Sequence, residues 1–104
     1  MALNLLQMLL ASLRPEAWSD PTAAWDVRDY SDIRVQFAGT PSTPYQPQFC
    51  LDGATFVNCK ARDQDGNEVS TITTPGVFTF TAARGGYLKF STGSGSTLTR
   101  RAGA

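Results

Sequence analysis

Two acidic segments contain the side chains with the clearest potential for chemistry. In the first, DQDGNE, Asp63, Asp65 and Asn67 alternate, which would suit oxygen coordination of a hard cation such as calcium. An EF-hand loop has glycine at its sixth position and glutamate at its twelfth, but here glycine is fourth and Thr74 is twelfth. The segment is therefore more typical of a hairpin turn, in which Gly66 tolerates a positive φ.

The second acidic segment holds three carboxylates within seven residues, Asp26, Asp29 and Asp32. A glycosidase needs two carboxyl groups about 5 to 9 Å apart across a cleft. Arg28 and Arg34 lie among these acids, so the spacing favours local ion pairs on a solvated strand.

The residue inventory argues against catalysis. The 104 residues include no histidine, so neither a Ser-His-Asp triad nor an imidazole base can be built. Two cysteines without histidine are too few for a structural zinc site. Nine acidic and nine basic residues give zero net charge, which argues against a protein that coats nucleic acid. We expect no enzyme activity, catalytic residue, cofactor, metal ion or nucleic-acid partner.

The two cysteines flank a predicted turn at Asp52-Gly53 and so lie on neighbouring strands. If Cys50 faces Val57, Cys59 is diagonal to it, about 7 to 8 Å away, which is beyond disulfide range. A shift of one residue on each strand would pair the thiols directly. The first geometry predicts two free thiols.

The N-terminal segment has an apolar pattern with helical spacing. It predicts an amphipathic helix of about three turns over residues 3–13 that ends before Pro15. A cleaved signal peptide is the alternative, although no Lys or Arg precedes the apolar run and Asn4 and Gln7 interrupt it. No segment approaches the roughly 20 apolar residues that span a bilayer, so no membrane is expected. The stripe consists of Leu5, Leu6, Met8, Leu9, Leu10 and Leu13.

From Trp25 onward the apolar pattern has a period of two, as in half-buried strands. Turn signals follow every eight to twelve residues, which predicts an antiparallel β-sandwich of about seven short strands. Residues 39–47, with three prolines, are predicted to be a loop. The chain thus divides into a helix and connector arm (1–24) and a sandwich domain (25–104). The predicted core comprises Ile33, Val35, Phe37, Phe49, Leu51, Phe56, Phe78, Phe80, Leu88 and Phe90.

Aromatic residues near the predicted loops have two interpretations. They could stack on a sugar ring or a partner surface, and the residues concerned are Trp18, Trp25, Tyr30 and Tyr45. They could equally cover the open end of the sandwich. The sequence leaves both interpretations open.

Charge is distributed unevenly along the chain. Residues 14–32 contain five acids and two bases, whereas residues 84–104 contain four bases and no acid. Such a molecule could pair head-to-tail with its own copies or dock on a charged neighbour, with Arg100 and Arg101 as docking charges. Alternatively, intramolecular ion pairs cancel the asymmetry.

The order of motifs resembles the small β-sandwich domain of tailed-bacteriophage virion proteins. In that family the hairpin usually reads Ser-x-Asp-Gly-x-Thr-Trp, and its aromatic residue enters the core. Here Phe56 takes the aromatic position and Cys50 replaces the serine. The late Arg-Val-Arg strand of the family has only a loose counterpart in LKF (88–90). The motifs are DIRVQF (32–37), GT (39–40), CLDGATF (50–56), TTPGVFTF (73–80), GYLKF (86–90) and SGSTLTR (94–100).

The resemblance implies a structural or adhesive role in a virion. A short sandwich with one added helix suits a capsid decoration, or cement, protein that binds and stabilises the major capsid protein lattice. Its expected partners are that lattice and other copies of itself, with a trimer as one assembly. The predicted contact surface is the apolar stripe with Trp18 and Trp25. A tail, neck or fibre-anchoring subunit and a module that binds host glycans are the alternatives.

Overall fold

Ten short β-strands organise the part of the chain that the computed structural model describes, residues 15–83 and 85–103. One 3-10 helical turn, η1 (Thr81–Ala83), precedes the ninth strand. The strands in chain order are β1 (Glu16–Ala17), β2 (Trp25–Asp26), β3 (Asp32–Ala38), β4 (Pro47–Cys50), β5 (Val57–Asn58), β6 (Ala61–Arg62), β7 (Glu68–Val69), β8 (Gly76–Thr79), β9 (Tyr87–Phe90) and β10 (Thr97–Gly103).

The strands form two antiparallel sheets, which confirms the predicted all-β, antiparallel architecture. The larger sheet has the order β1-β10-β3-β8-β6-β7, and the smaller has the order β2-β9-β4-β5. The described strands number ten rather than about seven. Part of the excess arises because turns divide residues 57–69 into three two-residue strands.

The strand β3 shows why these residues form a sheet with one buried face. Ile33, Val35 and Phe37 are buried, and the residues between them are exposed, as alternation along a strand requires. Its neighbours β10 and β8 contribute Leu98 and Phe78 to the same buried face. The period-two prediction is therefore confirmed for this strand.

Aromatic rings from both sheets meet in the core. The Phe37 ring packs edge-on against Tyr45, Phe78 and Phe90, with centroids 5.0, 5.6 and 5.6 Å away. Phe80 packs against Phe90 at 5.8 Å in the same manner. Each such pair contributes about 0.5 to 1.5 kcal/mol beyond the area that it buries.

Two predicted core residues, Leu51 and Phe56, lie outside the core, and a third, Phe49, packs against it but is only partly buried. Leu51 is 69% exposed, because the strand ends at Cys50 and the chain turns away. Phe56 is also partly exposed. Its ring lies beneath Lys89, with Nζ 4.3 Å from the centroid, and not in the core as the family resemblance implied.

The pairing of β4 with β5 differs by one residue from the predicted register. Val57 pairs with Phe49, not with Cys50. The Cys59 amide accordingly donates a hydrogen bond to the Pro47 carbonyl, 3.0 Å away. Both cysteines are free thiols, as predicted. Pro47 was predicted to lie in a loop, but it begins β4, a position that proline tolerates.

The described part of the predicted arm packs on the sandwich. β1 pairs with β10, matching Glu16 with Arg100, and Trp18 joins the core. The predicted helix, with its Leu and Met stripe, lies outside the described residues. In residues 15–83 and 85–103, no helix has the length and apolarity needed to cross a membrane.

Candidate interaction surfaces

A cluster of two tryptophans and one arginine closes the end of the sandwich where β1 approaches β2. The rings of Trp18 and Trp25 meet edge-on, with centroids 5.4 Å apart. The Arg100 guanidinium lies over both, with its Cζ 5.0 Å from the Trp18 centroid and 4.8 Å from that of Trp25. Its Nε also donates to the Glu16 carboxylate at 3.0 Å.

This cluster decides between the two interpretations of the aromatic residues. Trp18 and Trp25 are 5% and 9% exposed, and Tyr45 is also buried. The Trp18 indole N–H donates to the Asp20 carbonyl at 2.9 Å. These rings cover the end of the sandwich, so none presents a free face for a sugar in this structure.

Arg100, one of the two predicted docking charges, is engaged within the molecule. It lies in register with buried Val35, and its side chain is only 22% exposed. Sequence alternation carried the signal for this placement, because Leu98 and Ala102 point inward and Arg100 lies midway between them. Its pairing with Glu16 is the intramolecular cancellation named as the alternative.

Arg101 takes the opposite orientation and faces solvent on the outer face of the larger sheet. It pairs directly with Arg34, which pairs with Thr79, which pairs with Arg62. Like charges directly opposite each other on neighbouring strands are destabilising. Only Arg34 has a described carboxylate partner among these arginines, Asp32, at 2.9 Å.

The acidic segment at 26–32 forms local ion pairs, as predicted. Arg28 donates to both Asp26 oxygens, at 3.0 and 2.8 Å, while Asp32 pairs with Arg34. The hydrogen bonds from Arg28 lower the pKa of the Asp26 carboxyl below its usual value. Both carboxylates are thus neutralised by neighbours two residues away.

The acidic segment at 63–68 is a hairpin, as predicted. It connects β6 to β7, and Gly66 has a φ of 84°. The Asp63 carboxylate accepts hydrogen bonds from the amides of Asp65 and Asn67 at 3.0 and 2.9 Å. This carboxylate therefore holds the turn.

A second carboxylate holds the loop between β4 and β5 in the same way. Asp52 accepts from the amides of Ala54 and Thr55, both at 2.9 Å. These backbone hydrogen bonds lower the pKa of the Asp52 carboxyl. The predicted two-residue turn is therefore a wider loop, spanning residues 51–56.

That loop leaves an apolar patch beside the open edge of the smaller sheet, which we call the β5 patch. It consists of Phe49, Leu51 and Val57 around one shallow cavity, together with Cys50, Asp52 and Thr55. Leu51 and Val57 are 69% and 51% exposed, and they are the large hydrophobic residues that the described chain leaves exposed. The alternation of apolar residues predicted Leu51 to lie in the core, so this surface was not predicted from the sequence.

The β5 patch continues the core beyond its edge. Trp25, Leu88, Phe49 and Val57 form one row across the four strands of the smaller sheet. The first two are buried, Phe49 is partly buried, and Val57 is exposed. Val57 is aliphatic because it occupies the last position of this apolar row. Only the order of the strands shows that this position lies beyond the buried core.

The thiols are poorly suited to nucleophilic chemistry. Cys50 is buried, and burial raises the pKa of the Cys59 thiol to about 11. A thiol needs its thiolate form to attack or to bind a metal. Within the described ranges, no group of three or more metal-ligating side chains is assembled.

The fold is similar to that of the SPBc2 prophage-derived protein YomS, known from a crystal structure. The TM-score is 0.57, the match covers 82% of each chain, and the sequences are 13% identical. At this identity the similarity concerns the fold alone. The sequence matches no protein-family model, and a search of curated proteins finds no match.

Proposed function

We propose that this protein is a structural component of a tailed-phage virion, specifically a capsid decoration protein. The observation that carries the proposal is the fold, which is similar to that of a prophage-derived protein over most of both chains. The motif resemblance to virion β-sandwich domains supports the same conclusion independently of that comparison. The proposed partners are the major capsid protein lattice and other copies of this chain.

A binding role without catalysis agrees with how four of the described carboxylates are used. Asp26 and Asp32 pair with arginines, whereas Asp52 and Asp63 hold turns. A general acid or base needs a group that can exchange a proton with a substrate. We therefore propose no catalytic residue.

Copy number tests this proposal in virions of the phage that encodes the chain. Mass spectrometry with isotope-labelled peptides would count the copies in each purified particle. A decoration protein should give hundreds of copies, whereas a tail or neck ring should give about six to twelve. A count of about six to twelve would indicate a tail or neck subunit instead of a decoration protein. Absence of the protein from virions would overturn the proposal.

Binding to the lattice is proposed to depend on the apolar stripe of residues 1–14, which contacts either the major capsid protein or a neighbouring copy. Particles produced without this protein should bind the purified chain and lose that binding in the double variant Leu6→Asp/Leu9→Asp. The matched control Asn4→Asp/Gln7→Glu adds the same charge to the opposite face of the predicted helix. Equal binding by the two variants would exclude the stripe as the contact.

A further inference from the structure

We propose that the N-terminal segment, residues 1–14, docks on the β5 patch of a second copy. The inference rests on the proposed function for its biological setting and specifies how the copies join one another. Its evidence is the location of the patch, the apolar character of the segment, and the point where the segment meets the sandwich.

The β5 patch and the N-terminal segment are both apolar. The described core is assembled from residues 18–102, and no buried side-chain polar atom in the described chain lacks a partner. This core leaves Leu51 and Val57 exposed beside Phe49 in one cavity. The N-terminal segment contains eight Leu and Met residues, and six of them form the stripe at helical spacing, which favours burial against another apolar surface.

The N-terminal segment joins the sandwich at β1, on the side of the smaller sheet away from the β5 patch. Pro15 precedes β1, and Trp18 places this region beside β2 through its contact with Trp25. β2 and β5 are the two outer strands of the smaller sheet, separated by β9 and β4. Three spacings of about 4.8 Å and a sheet separation of about 10 Å put β1 about 17 Å from β5.

The β5 patch of a second copy is better placed for the N-terminal segment than the patch of the same chain. In the predicted helix, Leu9 is at the centre of the stripe and lies six residues from Pro15. At a rise of about 1.5 Å per residue, that centre reaches only about 9 Å from Pro15. Only the first residues of the stripe could therefore touch the chain's own β5 patch, whereas a neighbouring copy can place its patch against the centre of the stripe.

The β5 patch suits such a contact for a further reason. β5 is a two-residue strand at the open edge of its sheet, and exposed sheet edges readily accept another chain. Reciprocal exchange of segments would close a dimer, whereas exchange in one direction would close a ring. Either assembly presents several sandwiches to a repeating lattice.

Complementation between two full-length variants tests the proposal. The segment variant is Leu6→Asp/Leu9→Asp, and the patch variant is Leu51→Asp/Val57→Asp. Light scattering after size exclusion should show an oligomer for the unmodified chain and a monomer for each variant. The dissociation constant for self-association of each variant should rise at least about 100-fold, because a charged side chain replaces an apolar contact.

Mixing the two variants is the decisive measurement. The segment variant retains an intact β5 patch and the patch variant retains an intact segment, so the mixture should form a two-chain complex. The control Thr73→Asp/Thr74→Asp adds two charges at exposed positions outside the patch and should remain oligomeric. Tryptophan fluorescence verifies folding, and the milder pair Leu51→Ser/Val57→Thr replaces any patch variant that fails to fold.

Three results would overturn the proposal: a monomeric unmodified chain, an oligomeric patch variant, or a mixture that remains monomeric. None of them bears on whether the protein is part of the virion, because the assay contains no capsid. Copy number in virions measures that separately. Failure of this inference is thus distinguishable from failure of the proposed function.

Discussion

Arg100→Ala should destabilise the sandwich, because this side chain closes the end of the core. Its two cation–π contacts contribute about 0.5 to 1 kcal/mol each in a partly exposed setting. Its partner Glu16 is 60% exposed, so the ion pair adds no more than about 0.5 kcal/mol. Together these contacts predict a loss of about 2 kcal/mol in the free energy of unfolding.

Urea unfolding followed by tryptophan fluorescence measures this loss directly, since both indole rings contact Arg100. With a slope of about 1 kcal/mol per molar urea, the midpoint should fall by about 2 M. Arg101→Ala is the matched control, because it removes the same charge from an exposed neighbour and should change the free energy by less than about 0.5 kcal/mol. If Arg100→Ala and Arg101→Ala unfold at the same urea concentration, the contacts of Arg100 do not stabilise the end of the core.

Two further changes test other parts of the structure. Gly86→Ala would place its Cβ inside van der Waals contact with the Cys50 carbonyl oxygen, so we expect a loss of about 3 kcal/mol in thermal or urea unfolding. Gly85→Ala is the control, because its Cβ meets open space and only its φ of 82° opposes the change, costing about 1 kcal/mol; an equal loss in both variants would contradict the clash. For Cys59, the folded-state pKa of about 11 exceeds the ordinary value of 9.0, so the folded state retains its proton longer. The contribution of this thiol to stability is therefore complete below pH 9 and declines as the pH rises toward 11; Cys59→Ser should lack that part of the decline in urea titrations, and an unchanged profile would contradict the assignment.

Local alternation made much of the sandwich predictable. In β3, apolar and polar residues strictly alternate, and one face of the strand is buried against a second sheet. β9 shows the same pattern, with Leu88 and Phe90 buried and the residues beside them partly exposed. These strands are specified by side chains two residues apart, and that information is contained within the strand itself.

The loop after β4 was not predictable from the same pattern. An Asp-Gly pair resembles a two-residue hairpin turn, but the Asp52 carboxylate accepts two backbone amides and holds a wider loop. The widening shifts the β5 register by one residue, and a shift of one residue exchanges the two faces of a strand. Phe56 therefore faces away from the core, and Leu51 lies in the loop beyond the end of β4, which leaves the β5 patch exposed.

Contacts between residues far apart in the sequence could not be predicted from local sequence patterns. Glu16 and Arg100 are 84 residues apart, and their pairing depends on the position of β1 beside β10. Alternation along β10 carried a signal for the inward orientation of Arg100, which was predicted instead as a docking charge, but it carried none for the tryptophans that Arg100 contacts. Among the candidate sites, both acidic segments, 26–32 and 63–68, were predictable, whereas the closed end of the sandwich required the complete sheet order.

The placement of β10 sets the order of events during synthesis. This strand lies between β1 and β3 in the larger sheet, yet it is the last described strand to leave the ribosome. Until it emerges, β3 has an unpaired edge, and Val35 and Phe37 lack the neighbours that cover them. Such non-local pairing gives folding times of about milliseconds to seconds. A chain that has not yet released β10 therefore exposes the edge and apolar face of β3, and such exposed edges favour association between unfinished chains.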